Sequence, residues 1–156
     1  MNKILNSYSL TLFILSGLLF SCSNSKASFG ANESSTDSSI IIDTFSEFPP
    51  EIEGCSCYFS SNESDFESDQ YIYVDDYGSN AFVSINGEMK SFSLSNTKKV
   101  ADDHFIKTWI SEDFEITLDY KQVSQVEETW QQKGTMRIKS KKGKEVVKEF
   151  YGECGC

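Results

Sequence analysis

The sequence predicts an all-β domain: a small antiparallel meander of about eight strands, closed or nearly closed into a barrel, with a two-sheet β-sandwich as the alternative. Three observations carry this. Between residues 114 and 121, Phe114, Ile116, Leu118 and Tyr120 alternate with Glu115, Thr117, Asp119 and Lys121, the period of a strand with one wet face. Asn86-Gly87 sits between two β-type runs, and a type I′ hairpin turn needs a positive φ at both central positions. From Gly54 onward, short β-branched and aromatic runs recur between turn residues, with no convincing helical period longer than two turns. A meander of this kind hides its edges best by closing on itself.

The elements follow in order. Residues 40–48 are apolar (IIIDTFSEF) and stop at Pro49-Pro50, so they read as an edge strand or a docking segment, and the fold starts between 40 and 54. A strand starting the domain carries Cys55-Ser56-Cys57. Residues 71–74 are β-branched and aromatic, and 75–78 (DDYG) read as a turn. Residues 81–85 and 88–94 flank the Asn-Gly turn, 105–110 form another strand, and 114–121 the clearest. Residues 135–140 and 144–151 pair across Lys141-Lys142-Gly143. The stretch 121–133 (KQVSQVEETWQQK) fits no single period. There is no internal repeat.

The chain has 156 residues, which suits one domain. Two Pro and nine Gly exclude a collagenous chain, and twelve Phe with seven Tyr supply a packed β-type core. The formal net charge of −10 argues against nucleic acid, because phosphate binding needs a basic footprint. The charge is uneven. Residues 54–120 hold thirteen acids and four bases, whereas residues 121–156 hold five acids and eight bases. Clustered acids would steer a cationic protein partner to the domain.

The amino terminus places the protein. Residues 1–9 are polar with one cation, Lys3, and no acid. Residues 10–20 (LTLFILSGLLF) are apolar, shorter than the roughly 20 residues a bilayer-spanning helix needs and of the length of a signal-peptide core. Leu19-Phe20-Ser21-Cys22 follows. This pattern resembles the lipobox of bacterial lipoproteins: an aliphatic residue at −3, a small one at −1, and Cys at +1. The resemblance covers residues 1–22 and implies a signal peptide over 1–21, cut before Cys22. In that family the Cys thioether carries a diacylglycerol and the new amino group is acylated. Ser rather than Asp follows the cysteine, which in the sorting pattern of such lipoproteins favours the outer membrane of a bacterial cell envelope. Residues 22–39 read as a flexible tether: 23–39 hold seven Ser and one large apolar residue, Phe29. Their reach would be roughly 20–25 Å. Residues 40–156 form the single β domain, with its core from about 54.

Five cysteines are an odd count. With Cys22 lipidated, Cys55, Cys57, Cys154 and Cys156 remain, as two Cys-x-Cys pairs near the two ends of the domain. Residues i and i+2 of a strand share a face. If the first and last strands lie antiparallel side by side, Cys55 opposes Cys156 and Cys57 opposes Cys154. A ring closed within Cys-x-Cys is strained, so two cross-pairings are the preferred connectivities. The alternative is a metal or redox site: structural zinc ligands usually sit two to four residues apart, and soft Cu(I) suits Cys-x-Cys better, but neither pair has Met or His beside it.

Other groupings carry less. His104 is the only histidine and follows Asp102-Asp103; charged neighbours predict exposure, and adjacency in sequence does not make a triad. Glu63, Asp65, Glu67 and Asp69 would line one side of an extended segment, as a solvated acidic loop. Asp65, Glu67 and Asp69 mimic three offsets of a calcium loop, without its Gly or its final Glu. No nucleotide-binding, zinc-protease or nucleophile-elbow motif is present, and no cofactor or metal is expected. The expectation is therefore a noncatalytic, lipid-anchored envelope protein whose β domain binds a protein or small ligand. Small lipid-anchored barrels bridged between first and last strands are similar to bacterial inhibitors of c-type lysozyme. That architectural resemblance implies a second reading, inhibition of a basic hydrolase such as lysozyme; metal or redox use of the Cys-x-Cys pairs is a third. Cys22→Ala should abolish incorporation of labelled fatty acid and alter processing; label still entering the variant would refute the lipobox.

Overall fold

The computed structural model describes residues 39–156. Cys22, the signal segment and the tether up to residue 38 lie outside the described residues. The described elements are β1 (Ile42–Asp43), β2 (Ser56–Ser60), α1 (Glu63–Glu67), β3 (Tyr71–Asp75), β4 (Asn80–Ile85), β5 (Glu88–Lys99), β6 (His104–Ile110), β7 (Phe114–Val126), β8 (Thr129–Ser140) and β9 (Glu145–Gly155). Strands β2 to β9 run up and down, each antiparallel to the next, and β9 returns to pair with β2. The result is a closed eight-stranded antiparallel barrel, and β1 adds a short ninth strand beside β4.

Local chemistry explains most turns. Asn86 and Gly87 have φ of 55° and 79° between β4 and β5, the positive values a two-residue hairpin turn demands. Gly143 (φ 85°) closes the β8–β9 loop, where its N–H bonds the Ser140 carbonyl at 2.9 Å. The ambiguous stretch 121–133 resolves as a hairpin: β7 continues to Val126, Glu127 turns with φ 54°, and β8 begins at Thr129. Period-2 patterning fades there because both strands rise clear of the packed interior; Val123 and Val126 are exposed.

The acidic run is not extended. Asn62 caps a single helical turn, its side chain accepting from the Asp65 N–H at 2.9 Å, and Glu63 and Asp65 sit where the helix dipole favours acids. Packing of the half-buried Phe66 decides the matter: its ring stacks on Tyr58 at 5.5 Å and meets Tyr151 edge-on at 5.4 Å. The segment before the barrel straps the same outer face. Ile42 and Asp43 pair with Ile85 and Ser84, Phe45 bonds Tyr71 through both backbone groups, and the Phe48 ring lies 5.1 Å from that of Tyr71. Tyr71, Val74 and Phe82 are therefore buried without belonging to the interior cluster.

The interior is filled by the inward positions of all eight barrel strands. Phe59 of β2 is sandwiched between Tyr73 at 5.1 Å and Phe150 at 4.3 Å, both nearly parallel. Trp109, Ile116, Leu118, Met136 and Ile138 are fully buried beneath them; each such side chain is worth about 1.5–3 kcal/mol of burial. Gly152 makes the sandwich possible. It pairs with Phe59 across the β2–β9 ladder, and a Cβ there would sit 2.1 Å from the Tyr58 carbonyl oxygen and 2.7 Å from the Phe59 ring. Gly152→Ala should therefore cost about 2 kcal/mol or more, read as a lowered thermal midpoint by circular dichroism, because backbone and not a movable side-chain tip must give way.

Candidate functional site

The seam where the barrel closes builds one wall of the site. The β2–β9 register places Cys57 opposite Cys154, and two positions along, Cys55 meets Cys156. Both pairs are disulfides, with sequence separations of 97 and 101 residues. Of the two cross-pairings that spacing allows, the antiparallel seam selects this one. The two bridges share the inner face of the seam, as i and i+2 positions must. Cys57 and Cys154 are buried in the core, whereas Cys156 is exposed at the rim. With every sulfur of the two pairs in an S–S bond, none is a thiolate ligand for zinc or Cu(I). Among the described residues, no other group of His, Cys, Asp or Glu is arranged to hold a metal ion.

Beside this seam the barrel opens into a cavity of about 430 Å³. It lies at the end carrying the β3–β4, β5–β6 and β7–β8 loops. Its apolar lining is Phe105, Tyr120 and Trp130 with the Cys57–Cys154 bridge. Its polar lining comes from Lys107, Gln122 and Gln132, with Thr97 and Tyr77 at the margin. Lys107 lies in phase with Phe105 and Trp109 along β6, and Gln132 lies in phase with Trp130 along β8. The strand period thus turns these polar residues inward with their aromatic neighbours.

A buried ion pair underlies the cavity. Asp75, at 1% exposure, accepts from the Tyr73 hydroxyl at 2.7 Å and the Tyr77 backbone N–H at 2.9 Å. Lys107 Nζ stands 3.6 Å from the same carboxylate and lies over the rings of Trp109 and Tyr77 at 5.7 and 5.9 Å. A buried carboxylate needs this many partners, because an unpaired one would be strongly destabilising. Burial first, and then the Asp75 charge, push the Tyr73 hydroxyl well above the ordinary tyrosine range. Burial and the same charge raise Tyr120. Both phenols therefore stay neutral across the physiological range. Gln132 is 5% exposed, and its side-chain Oε1 is buried without a hydrogen bond. Ser60 Oγ and Trp109 Nε1 are likewise unpaired, but neither residue lines the cavity.

The residues singled out by sequence separate here. His104 Nε2 lies 2.6 Å from Asp119 Oδ1 on the neighbouring strand, and the ring is partly buried rather than exposed. Asp102 turns instead to Lys99 at 2.8 Å, and that hydrogen bond and charge hold its carboxyl below the usual range. The 102–104 run therefore does not converge. Asp65 bonds Asn62 and Asp69 accepts from Tyr71, so the calcium-like spacing has no shared centre. Lys107, Asp75 and Gln132 were not anticipated. The available signal was a charge or amide standing in the apolar phase of a strand.

The class so defined is an up-and-down eight-stranded β-barrel with an open, polar-lined mouth and its closing seam doubly bridged. No protein-family model, curated protein or solved structure matches the chain.

Oxidised protein, unfolded without reductant, should alkylate at none of Cys55, Cys57, Cys154 and Cys156, and its intact mass should be lower by four hydrogens. Mild reductant should open Cys55–Cys156 first, since Cys57–Cys154 is shielded. Opening both should cost roughly 4–5 kcal/mol in the chain-entropy account, and the second bridge adds little once the loop is tied. Full alkylation without reductant would overturn the assignment.

Proposed function

We propose that this chain is a noncatalytic, lipid-anchored protein of a bacterial cell envelope, on the outer membrane, whose barrel mouth binds a small ligand. The single observation that carries the binding reading is the cavity itself. It has aromatic walls and a few convergent polar groups. The polar groups support binding rather than turnover: Asp75 and Lys107 are already partnered, and Cys57 is oxidised. The anchoring half rests on Leu19-Phe20-Ser21-Cys22 and the polar tether behind it.

A second reading, binding and inhibition of a basic hydrolase such as lysozyme, draws on the rim. Asp76, Asp102, Asp103, Glu127 and Glu128 lie on the three mouth loops, interleaved with exposed Tyr77, Val100 and Val126. Acids among apolar side chains suit a cationic protein surface.

Native mass spectrometry of the full chain, incubated with envelope extract, separates the two. Small-ligand binding predicts a noncovalent adduct that Trp130→Arg, which fills the mouth, removes. Inhibition predicts lysozyme activity that falls at low salt and recovers as salt rises. Absence of an adduct from any extract would sink the first reading, and lysozyme activity unchanged at low salt would sink the second.

A further inference from the structure

We propose that the outer wall of the barrel, at the end away from the mouth, carries a trough for an extended cationic segment of a partner protein, with apolar side chains at alternate positions of that segment. The trough is separate from the mouth and from the rim acids, so the inference stands independently of what the mouth binds.

The trough is built on β5. Phe92 is buried in the core, so Ser91 and Ser93 on either side of it point outward, and Met89 shares their phase. Register sets Met89 opposite Ser84 and Ser91 opposite Phe82 on β4, and Ser93 opposite Ile110 on β6. Two small side chains therefore lie low between larger neighbours. The segment that straps the outer face makes one wall: a cavity of about 500 Å³ is lined by Phe48, Pro49, Pro50, Phe82 and Met89, with Glu47 and Glu51 beside them. The β6–β7 loop makes the other: a cavity of about 350 Å³ is lined by Ser93, Ile110 and Ser111, with Glu88, Glu112 and Asp113 beside them. Both cavities include Met89 and Ser91, so they join into one trough. Phe48, Met89 and Ile110 are exposed although large and apolar, the kind of surface that a partner covers.

Charge names the partner. Glu47, Glu51, Glu112 and Asp113 are exposed, and among the described residues their side chains have no ion-pair or hydrogen-bond partner. The one cation lining the trough among the described residues, Lys90, pairs with Glu88 at 2.7 Å. Lys141 bonds the Asp113 carbonyl through its backbone N–H at 2.9 Å but lines neither cavity. The trough is therefore apolar along its base and anionic along its edges, which complements Lys or Arg side chains set beside apolar ones. Shape names the conformation. The outer faces of β4, β5 and β6 span about 10 Å, and the flanking segments add to it, so roughly four to six extended residues fill the trough. Alternate side chains of an extended segment share a face. Apolar ones settle on Phe82, Met89 and Ile110, and long cationic ones bend to the carboxylates.

The probe is a dye-labelled hexapeptide of alternating Lys and Leu, titrated with the full chain by fluorescence anisotropy. It should bind, and more weakly as salt rises. Replacing its Leu by Ser should weaken binding about tenfold or more, and a Glu-Leu peptide should not bind. Ser91→Lys, an outward change that leaves the core untouched, should abolish binding without moving the thermal midpoint. Glu112→Lys/Asp113→Lys should weaken binding roughly threefold to tenfold. Glu67→Lys/Glu149→Lys makes the same change of net charge on other faces and should leave affinity nearly unchanged. Equal loss in the two charge-reversal pairs would mean attraction to net charge alone, and binding that survives Ser91→Lys would place the peptide elsewhere; either overturns the inference, as does absence of binding. Self-association of the full chain that Ser91→Lys abolishes would put a second copy in the trough and overturn it likewise.

Discussion

Everything in this barrel depends on one pairing, the antiparallel ladder between β2 and β9, the first and last strands of the barrel. Seven hairpin or loop connections bring neighbours together locally, but this seam must be closed by chain segments about one domain length apart. Its closure therefore carries the largest loop entropy in the fold. Two disulfides across it remove much of that entropy from the unfolded chain. The seam also sets the core. The sandwich of Tyr73, Phe59 and Phe150 joins three strands, β3, β2 and β9, and exists only when β2 lies beside β9 with Gly152 at the crossing.

The same seam positions the mouth. Cys57 and Cys154 are both core members and wall of the cavity, so the bridge that stabilises the domain also gives the cavity one rigid side. Lys107 stands across the mouth on β6 and reaches over to Asp75, which pairs with Cys57 beside the seam and is fixed by Tyr73 and the Tyr77 backbone. The floor is the aromatic interior. A cavity framed in this way is preorganised, since few side chains need to be ordered when a ligand enters.

The outer face shows a second use of aromatic residues. Phe45, Phe48, Tyr58, Phe66 and Tyr71 form a layer outside the barrel, clamped by β1 and α1. The described chain enters here, where the Ile41 N–H bonds Asn86 at the β4–β5 turn. In an up-and-down barrel that turn lies at the end opposite the β3–β4, β5–β6 and β7–β8 loops. The entry of the domain is thus kept away from the mouth.

The eight-stranded meander was legible in the sequence because its signals are local. The alternation from Phe114 to Lys121 and the Asn86-Gly87 turn each depend only on neighbouring residues. The two Cys-x-Cys pairs announced that both ends of the domain meet, though not which cysteine faces which. Only the tertiary structure chose Cys57 against Cys154, because register between the first and last strands depends on every intervening strand. It alone showed that 63–67 coils, since ring packing of Phe66 on Tyr58 and Tyr151 outweighs an alternating acidic pattern. The mouth was hidden for the same reason. Asp75 and Lys107 lie on β3 and β6, which are not adjacent, and meet only across a closed barrel interior. Strand period tells which side chains turn inward; barrel closure decides which of them meet.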